Sequence, residues 1–266
     1  MLTFKNMPMS TSSISVIVPA YNEEKTVGKV LEILISSQIP NQIICVNDGS
    51  TDNTSKVLKQ YKKDVLIIEI RKNKGKGNAL AEGIKKAKGD ILVFLDADLI
   101  NLSDKHLTLL LNPILNDKYK AVLGYLVGKT GVSLATEITG QRAYYKKDLM
   151  PHIEKMARTK FGIEIYLNGL FAKDEIKKIA LPGLRGLYKY EKQNPQEALN
   201  SYIKEGIEIA KVIGNKRVLP ESDFRILREL QDITEFKTLQ RKIRDVSDRE
   251  VRHILEKYIF KNIRKL

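Results

Sequence analysis

Two aspartates separated by one residue, Asp96 and Asp98, have the clearest chemical potential in the sequence. They follow the apolar run 91–95, which is typical of a buried strand. Carboxylates at this spacing can share Mg²⁺ or Mn²⁺ and, through the ion, a diphosphate. Because a single Asp-x-Asp also occurs by chance in loops, this metal-site hypothesis needs support from other segments.

A second polar cluster, Asn-Asp-Gly-Ser-Thr-Asp at residues 47–52, also follows an apolar run. Its residue types are typical of a turn that leads into a helix cap. Alternatively, the Asp48 carboxylate could accept a hydrogen bond from a ring N–H of a nucleobase. The two interpretations are compatible, since Ser50 or Asp52 could cap the helix while Asp48 binds.

A basic loop with two glycines, residues 73–79, opens a predicted helix. Glycine lets a backbone approach a ligand closely, and a helix N-terminus beside Lys74 and Lys76 favours an anion. The glycine spacing is not that of a P-loop. A lysine-rich surface turn is the alternative interpretation.

The elements that must position these clusters alternate between short apolar runs and amphipathic stretches. This alternation predicts an α/β fold in which helices flank a mostly parallel central sheet. Ligands of such sheets bind at the carboxyl ends of the strands, so the polar segments should converge there. The predicted strands are 14–18, 43–46, 65–70, 91–95 and 122–127.

The last part of the chain has a helical pattern instead. Apolar spacing from Phe224 to Val246 predicts one long amphipathic helix, and a capping box at residues 247–250 predicts another. We divide the chain into a flexible tail (1–13), a catalytic domain (14–214) and a basic amphipathic helical extension (215–266). The extension could pack on the body, form a homodimer or lie on an anionic membrane, and its acidic residues favour the first two.

The composition, 42% hydrophobic and 29% charged, is typical of a globular protein. The single cysteine, Cys45, lies in an apolar run, which predicts a buried thiol in a reducing compartment. No apolar run has the length of a membrane span and no signal peptide is evident, so we expect a cytoplasmic location, with peripheral membrane contact as an alternative.

The net charge of +14 is spread along the chain, so we expect no nucleic-acid partner. A solvated lysine-rich surface explains the charge. Attraction to anionic lipid or to phosphorylated substrates would also be consistent with it.

Four segments together resemble the inverting family 2 glycosyltransferases of the GT-A fold, in the family's order and spacing. The matching segments are Val-Pro-Ala-Tyr-Asn-Glu-Glu (18–24), Val-Asn-Asp-Gly-Ser-Thr-Asp (46–52), residues 73–79 and Phe-Leu-Asp-Ala-Asp (94–98). The resemblance covers residues 14 to 168 well and the remainder poorly. It implies the GT-A fold with a helical extension, and Mg²⁺ or Mn²⁺ as cofactor.

The same resemblance assigns roles to individual residues. Lys76 would lie near the nucleotide, Asp96 near the ribose or the metal, and Asp98 on the metal as a catalytic ligand. The residues expected to line the nucleoside pocket are Pro19, Tyr21, Glu23 and Asp48.

On the acceptor side, residues 139–144 resemble the family's Ser/Thr-Gly-x-Arg segment, and residues 161–165 resemble its Gly-x-Glu segment. Glu164 is the candidate base, because inverting transfer to a hydroxyl needs a proton acceptor, whereas a phosphate acceptor would need none. A structural carboxylate that pairs with Arg142 is the alternative for Glu164. The predicted acceptor-side residues are Thr139, Gly140, Gln141, Arg142 and Arg185.

The sequence departs from some relatives at the loop where they carry Arg-x-His, with the histidine on the metal. The nearest match is Arg185-Gly186-Leu187, so leucine stands in the histidine position. Either water completes the metal shell or the loop aligns differently. Arg185 could still hold a phosphate with Lys189 and Lys192. We expect the three histidines to be surface residues rather than ligands: His106, His152 and His253.

The resemblance predicts sugar transfer from a UDP- or GDP-sugar to an acceptor, with a polyprenyl phosphate as the first candidate. A soluble phosphorylated or saccharide acceptor is the alternative, since the segments are similar to those of both polyprenyl-phosphate glycosyltransferases and glucosyl-3-phosphoglycerate synthases. A catalytically silent GT-A scaffold is the remaining hypothesis.

Overall fold

In the described part of the chain, the central sheet has seven strands, which pair in the order Leu66–Ile70, Gln42–Asp48, Ile14–Ala20, Ile91–Phe94, Gln141–Tyr145, Ala121–Leu126 and Ile176–Leu181. The computed structural model describes residues 12–116, 118–127, 138–159, 162–187, 189–192, 194–214, 219–230, 233 and 235–260. The sheet strands are β1 (Ile14–Ala20), β2 (Gln42–Asp48), β3 (Leu66–Ile70), β4 (Ile91–Phe94), β6 (Ala121–Leu126), β7 (Gln141–Tyr145) and β8 (Ile176–Leu181). Two short strands, β5 (Leu99–Ile100) and β9 (Arg185–Gly186), pair separately and antiparallel.

The sheet is mostly parallel, which confirms the predicted α/β class. Strand β1 runs parallel to both β2 and β4, and β2 runs parallel to β3. Strand β7 runs antiparallel to β4 and β6, while β8 is parallel to β6. As a result, the carboxyl ends of β1, β2 and β4 meet the amino end of β7 at one edge.

The helices of the sheet region are α1 (Val27–Ser36), α2 (Thr54–Leu58), α3 (Lys76–Lys86), α4 (Asp104–Leu115), α5 (Lys146–Leu149), α6 (Ile153–Ala157), α7 (Ile163–Asn168) and α8 (Lys189–Lys192). The later helices are α9 (Pro195–Gly214), α10 (Glu221–Glu229), α11 (Phe236–Arg244) and α12 (Arg249–Leu255), followed by one π-helical turn, Glu256–Phe260.

Both faces of the sheet are buried, which explains why its strands are nearly continuous apolar runs. In β1, Val16 and Val18 pack on one side with residues of α1 and α4, whereas Ile17 packs on the other side with α3. Gly77 lets α3 approach α6, because a Cβ there would lie 2.3 Å from the Met156 carbonyl oxygen. This close packing fixes the start of α3, which carries Lys76.

The C-terminal helices form a third apolar cluster with α9. Ile203 and Ile207 of α9 are buried with Leu227 and Ile243 of the later helices, and Ile165 of the sheet region packs against the same cluster. Helix α9 thus precedes the predicted boundary at 214 but shares a core with the helices beyond it. The boundary itself stays a prediction, and residues 215–218 lie outside the described part.

The prediction of one long helix from Phe224 to Val246 was wrong, because α10 and α11 are separate helices. Both bury their apolar side in the same cluster, so the spacing continues across the break. The start of α12 also differs: Asp248, rather than Ser247, accepts hydrogen bonds from the backbone N–H groups of Glu250 and Val251.

The predicted N-terminal tail lies almost wholly outside the described residues. Ser13, at its end, donates its backbone N–H and its hydroxyl to Asp90. Within the described helices, none has both the length and the apolar character needed to cross a bilayer.

Asp223 joins two of the C-terminal helices. Its fully buried carboxylate accepts bonds from the Ser247 backbone N–H (2.9 Å) and hydroxyl (2.7 Å) and from the Asp248 backbone N–H (2.8 Å). Burial disfavours the charged form, but these donors outweigh it and lower the pKa of Asp223. The carboxylate therefore anchors the turn before α12 to the start of α10.

We expect Asp223→Asn to lower the free energy of unfolding by about 1–3 kcal/mol at pH 7. The NH₂ group of asparagine would replace a carboxylate oxygen and would face a donor of Ser247 or Asp248. A folded-state pKa below the unfolded one gives stability that is present above about pH 4 and lost as the pH falls further. The difference in free energy of unfolding between wild type and Asp223→Asn, measured by urea denaturation, should therefore be smaller at pH 3 than at pH 7. Asp245→Asn, on an exposed neighbour, is the control, and a difference independent of pH would contradict this account.

Candidate active site

The predicted site segments meet at the edge where the parallel strands end. Ala20 at the end of β1 is in register with Asn47 of β2, and Ile17 is in register with Phe94, the last residue of β4. Asp48 ends β2, and Asp96 comes two residues after β4. The sheet therefore brings together residues that are far apart in the sequence.

Lys76 binds two carboxylates from different elements. Its Nζ lies 2.6 Å from Asp96 Oδ1 and 2.7 Å from Glu164 Oε1. Burial alone would favour the neutral amine, but the two carboxylates outweigh it and raise the pKa of Lys76. Burial likewise opposes ionisation of Asp96, yet the Lys76 ammonium lowers the Asp96 pKa below its usual value. Lys76 and Asp96 are therefore both charged at neutral pH.

The predicted acceptor-side segment holds the second oxygen of Asp96. The Gln141 amide donates to Asp96 Oδ2 at 2.8 Å, and the Thr139 hydroxyl contacts Gln141 Oε1 at 2.7 Å and also bonds the Gly124 carbonyl oxygen. A Cβ on Gly140 would lie 2.2 Å and 2.3 Å from the Asp96 oxygens, so any larger residue would displace the carboxylate.

Asp98 and Glu23 share a second ammonium group, that of Lys192. The Lys192 Nζ lies 2.7 Å from Asp98 Oδ2 and 2.6 Å from Glu23 Oε1. Burial raises the pKa values of Asp98 and Glu23, and the lysine counteracts this rise. Glu23 also accepts a bond from the Thr26 hydroxyl at 2.9 Å.

The loop around Leu187 lies against Asp98. Strand β9 pairs with β5 directly after the aspartates, and the Leu187 backbone N–H donates to the Asp98 carbonyl oxygen at 3.1 Å. The contact places Leu187 beside Asp98, and the correspondence of Arg185–Leu187 to the Arg-x-His loop of some relatives stays a prediction. Arg185 itself is half exposed and its guanidinium binds Glu191 at 3.0 Å. The side chain of Lys189 lies outside the described part of the structure.

Asp48 fastens the basic loop to the sheet. Its two carboxylate oxygens accept bonds from the backbone N–H groups of Lys74 (3.0 Å) and Gly75 (2.7 Å). Burial raises the Asp48 pKa, and these backbone bonds partly oppose it. Gly49, with φ of 70°, allows the close approach, because a Cβ there would lie 2.5 Å from the backbone nitrogen of Asn73.

The predicted nucleoside-pocket residues at the end of β1 are only partly enclosed. Pro19 lies within β1, whereas Tyr21 is 42% exposed. Asn22 adopts φ of 56°, and its side-chain oxygen accepts a bond from the Thr51 backbone N–H at 2.8 Å. The two strand-end segments therefore support each other, and the Tyr21 ring is accessible to a ligand.

Arg142 is buried in this arrangement, with only 1% of its surface exposed, and its predicted acceptor-side role stays a prediction. Its guanidinium donates to the Thr139 carbonyl oxygen (2.6 Å), the Tyr144 hydroxyl (2.9 Å) and Asn168 Oδ1 (2.7 Å). The alternative prediction was an ion pair between Glu164 and Arg142. In the structure Glu164 pairs with Lys76 instead. Glu164 belongs to α7, whereas Arg142 belongs to β7.

One histidine prediction was wrong. His106 is 4% exposed, and its ring nitrogens contact the Ser103 hydroxyl (3.0 Å) and the Pro182 carbonyl oxygen (3.0 Å). It joins α4 to the segment after β8, a packing role that helical spacing alone did not reveal. His253 is exposed, as predicted.

The donor set is compatible with a hard divalent cation. Among the described residues, no group of three or more His, Cys, Asp or Glu side chains is arranged as a metal site. Mg²⁺, however, commonly uses one or two carboxylates together with substrate phosphates. Both Asp96 oxygens already bind protein groups, whereas the described contacts of the Asp98 carboxylate involve Oδ2, so Asp98 is the better candidate ligand.

The contact of Lys192 with Asp98 and Glu23 was not predicted. In the sequence, this lysine lies in one basic segment with Arg185, which suggests a shared phosphate site rather than a contact with Asp98. Lys192 is separated from Asp98 by 94 positions, and no spacing rule links them. The signal that existed was the short distance in sequence between Lys192 and Arg185–Leu187, the segment that resembles the Arg-x-His loop of some relatives.

Residues 15–177 match the family model described as "Glycosyl transferase family 2". This chain belongs to that family. The poly-beta-1,6-N-acetyl-D-glucosamine synthase of Staphylococcus epidermidis is 35% identical over 127 residues, which are 47% of this chain and 31% of that relative. The 4,4'-diaponeurosporenoate glycosyltransferase of Staphylococcus aureus (strain bovine RF122 / ET3-1) is 34% identical over 114 residues, 42% of this chain and 30% of the relative. The matches thus span about a third of these curated relatives.

Among solved structures, the chain is similar to glucosyl-3-phosphoglycerate synthase from Mycobacterium tuberculosis in complex with Mn²⁺, uridine diphosphate and glucosyl-3-phosphoglycerate. The TM-score is 0.62 at 21% identity, over 80% of this chain and 82% of that one. At this identity the similarity establishes the fold, and the predicted GT-A architecture is confirmed.

We expect Lys76→Met to lower the free energy of unfolding by about 3 kcal/mol, because it leaves two largely buried carboxylates without their shared cation. Urea denaturation at pH 7 measures the change. The control is Lys74→Met, which removes an exposed lysine two positions away in the same loop. Equal stability of the two variants would show that the Lys76 pairs contribute nothing to folding.

Proposed function

We propose that this chain transfers a sugar from a UDP- or GDP-sugar to an acceptor, with inversion at the anomeric carbon and with Mg²⁺ or Mn²⁺ as cofactor. The observation that carries the proposal is the convergence of Asp98, Asp96 and Lys76 at the sheet edge beside the basic loop. Membership of the family supports the reaction class.

The balance of charge at the site favours a divalent cation. Counted in their ionised forms, the four carboxylates exceed the two ammonium groups by two negative charges: Glu23, Asp96, Asp98 and Glu164 against Lys76 and Lys192. Buried charges need compensation. A single Mg²⁺ or Mn²⁺ would supply it, and the diphosphate would then complete the coordination of the ion.

In this proposal each residue has a distinct task. Asp98 holds the metal, and Asp96 positions Lys76 beside the donor. When bound, the metal neutralises the charge that develops on the leaving nucleoside diphosphate. Tyr21 is accessible enough to contact the nucleoside. We infer that Asp48 acts through the basic loop, with lone pairs left for a nucleobase N–H.

The proposed acceptor carries a phosphate, with a polyprenyl phosphate as the first candidate. The net charge of +14 favours phosphorylated partners in general. One relative is named as a 4,4'-diaponeurosporenoate glycosyltransferase, and the structural neighbour was crystallised with glucosyl-3-phosphoglycerate. A soluble phosphorylated acceptor is therefore the second candidate. Peripheral membrane contact and a homodimer through the C-terminal helices stay predictions.

We expect one nucleoside diphosphate to raise the melting temperature by about 5 °C at about 100 times its Kd, because ligands that bind the native state stabilise it. The rise should require Mn²⁺ or Mg²⁺ and disappear in Asp98→Asn. Asp104→Asn, an exposed carboxylate at the start of α4, should behave as wild type. No rise with any nucleotide and metal would overturn the donor-site proposal in favour of a silent scaffold.

Glu164→Gln distinguishes the acceptor classes. If the acceptor is a hydroxyl and Glu164 is the base, we expect kcat to fall about 100-fold or more. An ionised phosphate acceptor needs no base, so our first candidate predicts a change of less than about tenfold, with donor binding unchanged. The measurement is sugar transfer from the nucleotide sugar identified by binding to three acceptors: a polyprenyl phosphate in detergent, the hydroxyl of 3-phosphoglycerate, and a neutral saccharide. Transfer to a neutral saccharide with the larger loss would contradict the phosphate acceptor.

A further inference from the structure

Lys192 is held between Asp98, the proposed metal ligand, and Glu23. Its Nζ lies 2.6 Å from Glu23 Oε1 and 2.7 Å from Asp98 Oδ2, and the three side chains are between 16% and 22% exposed. Glu23 belongs to the segment after β1 and Asp98 to the segment after β4. The lysine therefore joins two strand ends through a third part of the chain.

The chain on both sides of Lys192 is anchored. The Leu187 backbone N–H binds the Asp98 carbonyl oxygen, and the Asn194 side chain accepts a bond from the Glu197 backbone N–H at 3.0 Å, at the start of α9. Helix α8 lies between these two points and ends at Lys192. The position of the ammonium group thus follows from the fold of this segment and is not that of a freely mobile surface lysine.

A metal ion on Asp98 would lie next to this ammonium group. Without a nucleotide, the two cations repel each other across one carboxylate, in a largely buried site where screening by solvent is reduced. Lys192 should then weaken the binding of the metal alone. A diphosphate reverses this effect of Lys192 on metal binding, because its negative oxygens attract both the metal and the lysine.

We propose that Lys192 is a diphosphate-binding residue that makes metal binding depend on the nucleotide. This inference rests on the proposed function, since it requires the metal and the donor diphosphate at Asp98. Lys192 leaves one of its two carboxylates and donates to a phosphate oxygen, while Asp98 keeps the metal. Metal and nucleotide consequently bind together, and the metal alone binds weakly.

The surroundings of Lys192 leave room for this movement. The lysine lines an open cleft of about 470 Å³ between the segment after β1 and the start of α9. Lys204 of α9 lines the same cleft. It is exposed and provides a matched control, with the same charge in the same cleft and without the described contacts to Asp98 and Glu23.

The test compares two equilibria in wild type and Lys192→Gln. Mn²⁺ binding without nucleotide is followed by the electron paramagnetic resonance of the free ion. The nucleotide is titrated calorimetrically at saturating Mn²⁺, and it is UDP, or GDP if GDP is the one that raises the melting temperature. We expect the variant to bind Mn²⁺ alone about threefold to tenfold more tightly, since a neighbouring cation is removed. It should bind the nucleotide about tenfold more weakly, the typical loss for one charge-assisted hydrogen bond.

Two further variants complete the design. Lys204→Gln should leave both equilibria within about twofold, because removal of a screened surface charge has little effect. Lys192→Arg keeps the positive charge and should restore most of the nucleotide affinity, which a purely structural role would not predict. It also preserves the test if the glutamine variant does not fold.

The possible results separate this inference from the function on which it rests. If wild type binds the nucleotide with Mn²⁺ but Lys192→Gln changes neither affinity, or weakens both, the role of Lys192 is overturned and the donor site stands. If wild type binds no nucleotide with Mn²⁺, the proposed function fails and this inference fails with it. A tighter metal and a weaker nucleotide in Lys192→Gln, with Lys204→Gln unchanged, support the inference.

Discussion

Burial of like charges is the constraint on which the site depends. Four carboxylates meet at the edge of the sheet, and they would repel one another if no cation lay between them. Lys76 and Lys192 each join two of them, so the start of α3 and the end of α8 have to lie where they do. Glu164 and Lys192 come from the second half of the chain, so its packing on the sheet completes the charge arrangement that Glu23, Lys76, Asp96 and Asp98 begin.

Close backbone approach makes this charge arrangement possible. Gly140 leaves space for the Asp96 carboxylate, and Gly77 lets the start of α3 sit against α6. The carboxylate of Asp48 binds the loop that precedes Lys76 through two backbone N–H groups. Residues that belong to separate motifs in the sequence are therefore in direct contact in the folded protein.

The helical extension contributes by packing. Its apolar residues share a cluster with α9, and α9 follows directly after the segment that carries Lys192. Ile165, next to Glu164 in α7, packs against the same cluster. The extension is therefore placed to stabilise both segments that bring charged side chains to the site from the second half of the chain.

The sequence by itself determined the α/β class, the strands that end at the site, and Asp48, Lys76, Asp96 and Asp98 as its polar residues. These features are local: apolar runs with polar residues at their ends follow from the periods of strands and helices. It did not determine that Lys192 binds Asp98, that Glu164 pairs with Lys76, that His106 is buried, or that α10 and α11 are separate. Such contacts join segments remote along the chain, and which of them form depends on how helices pack on the sheet and on which charges burial forces together.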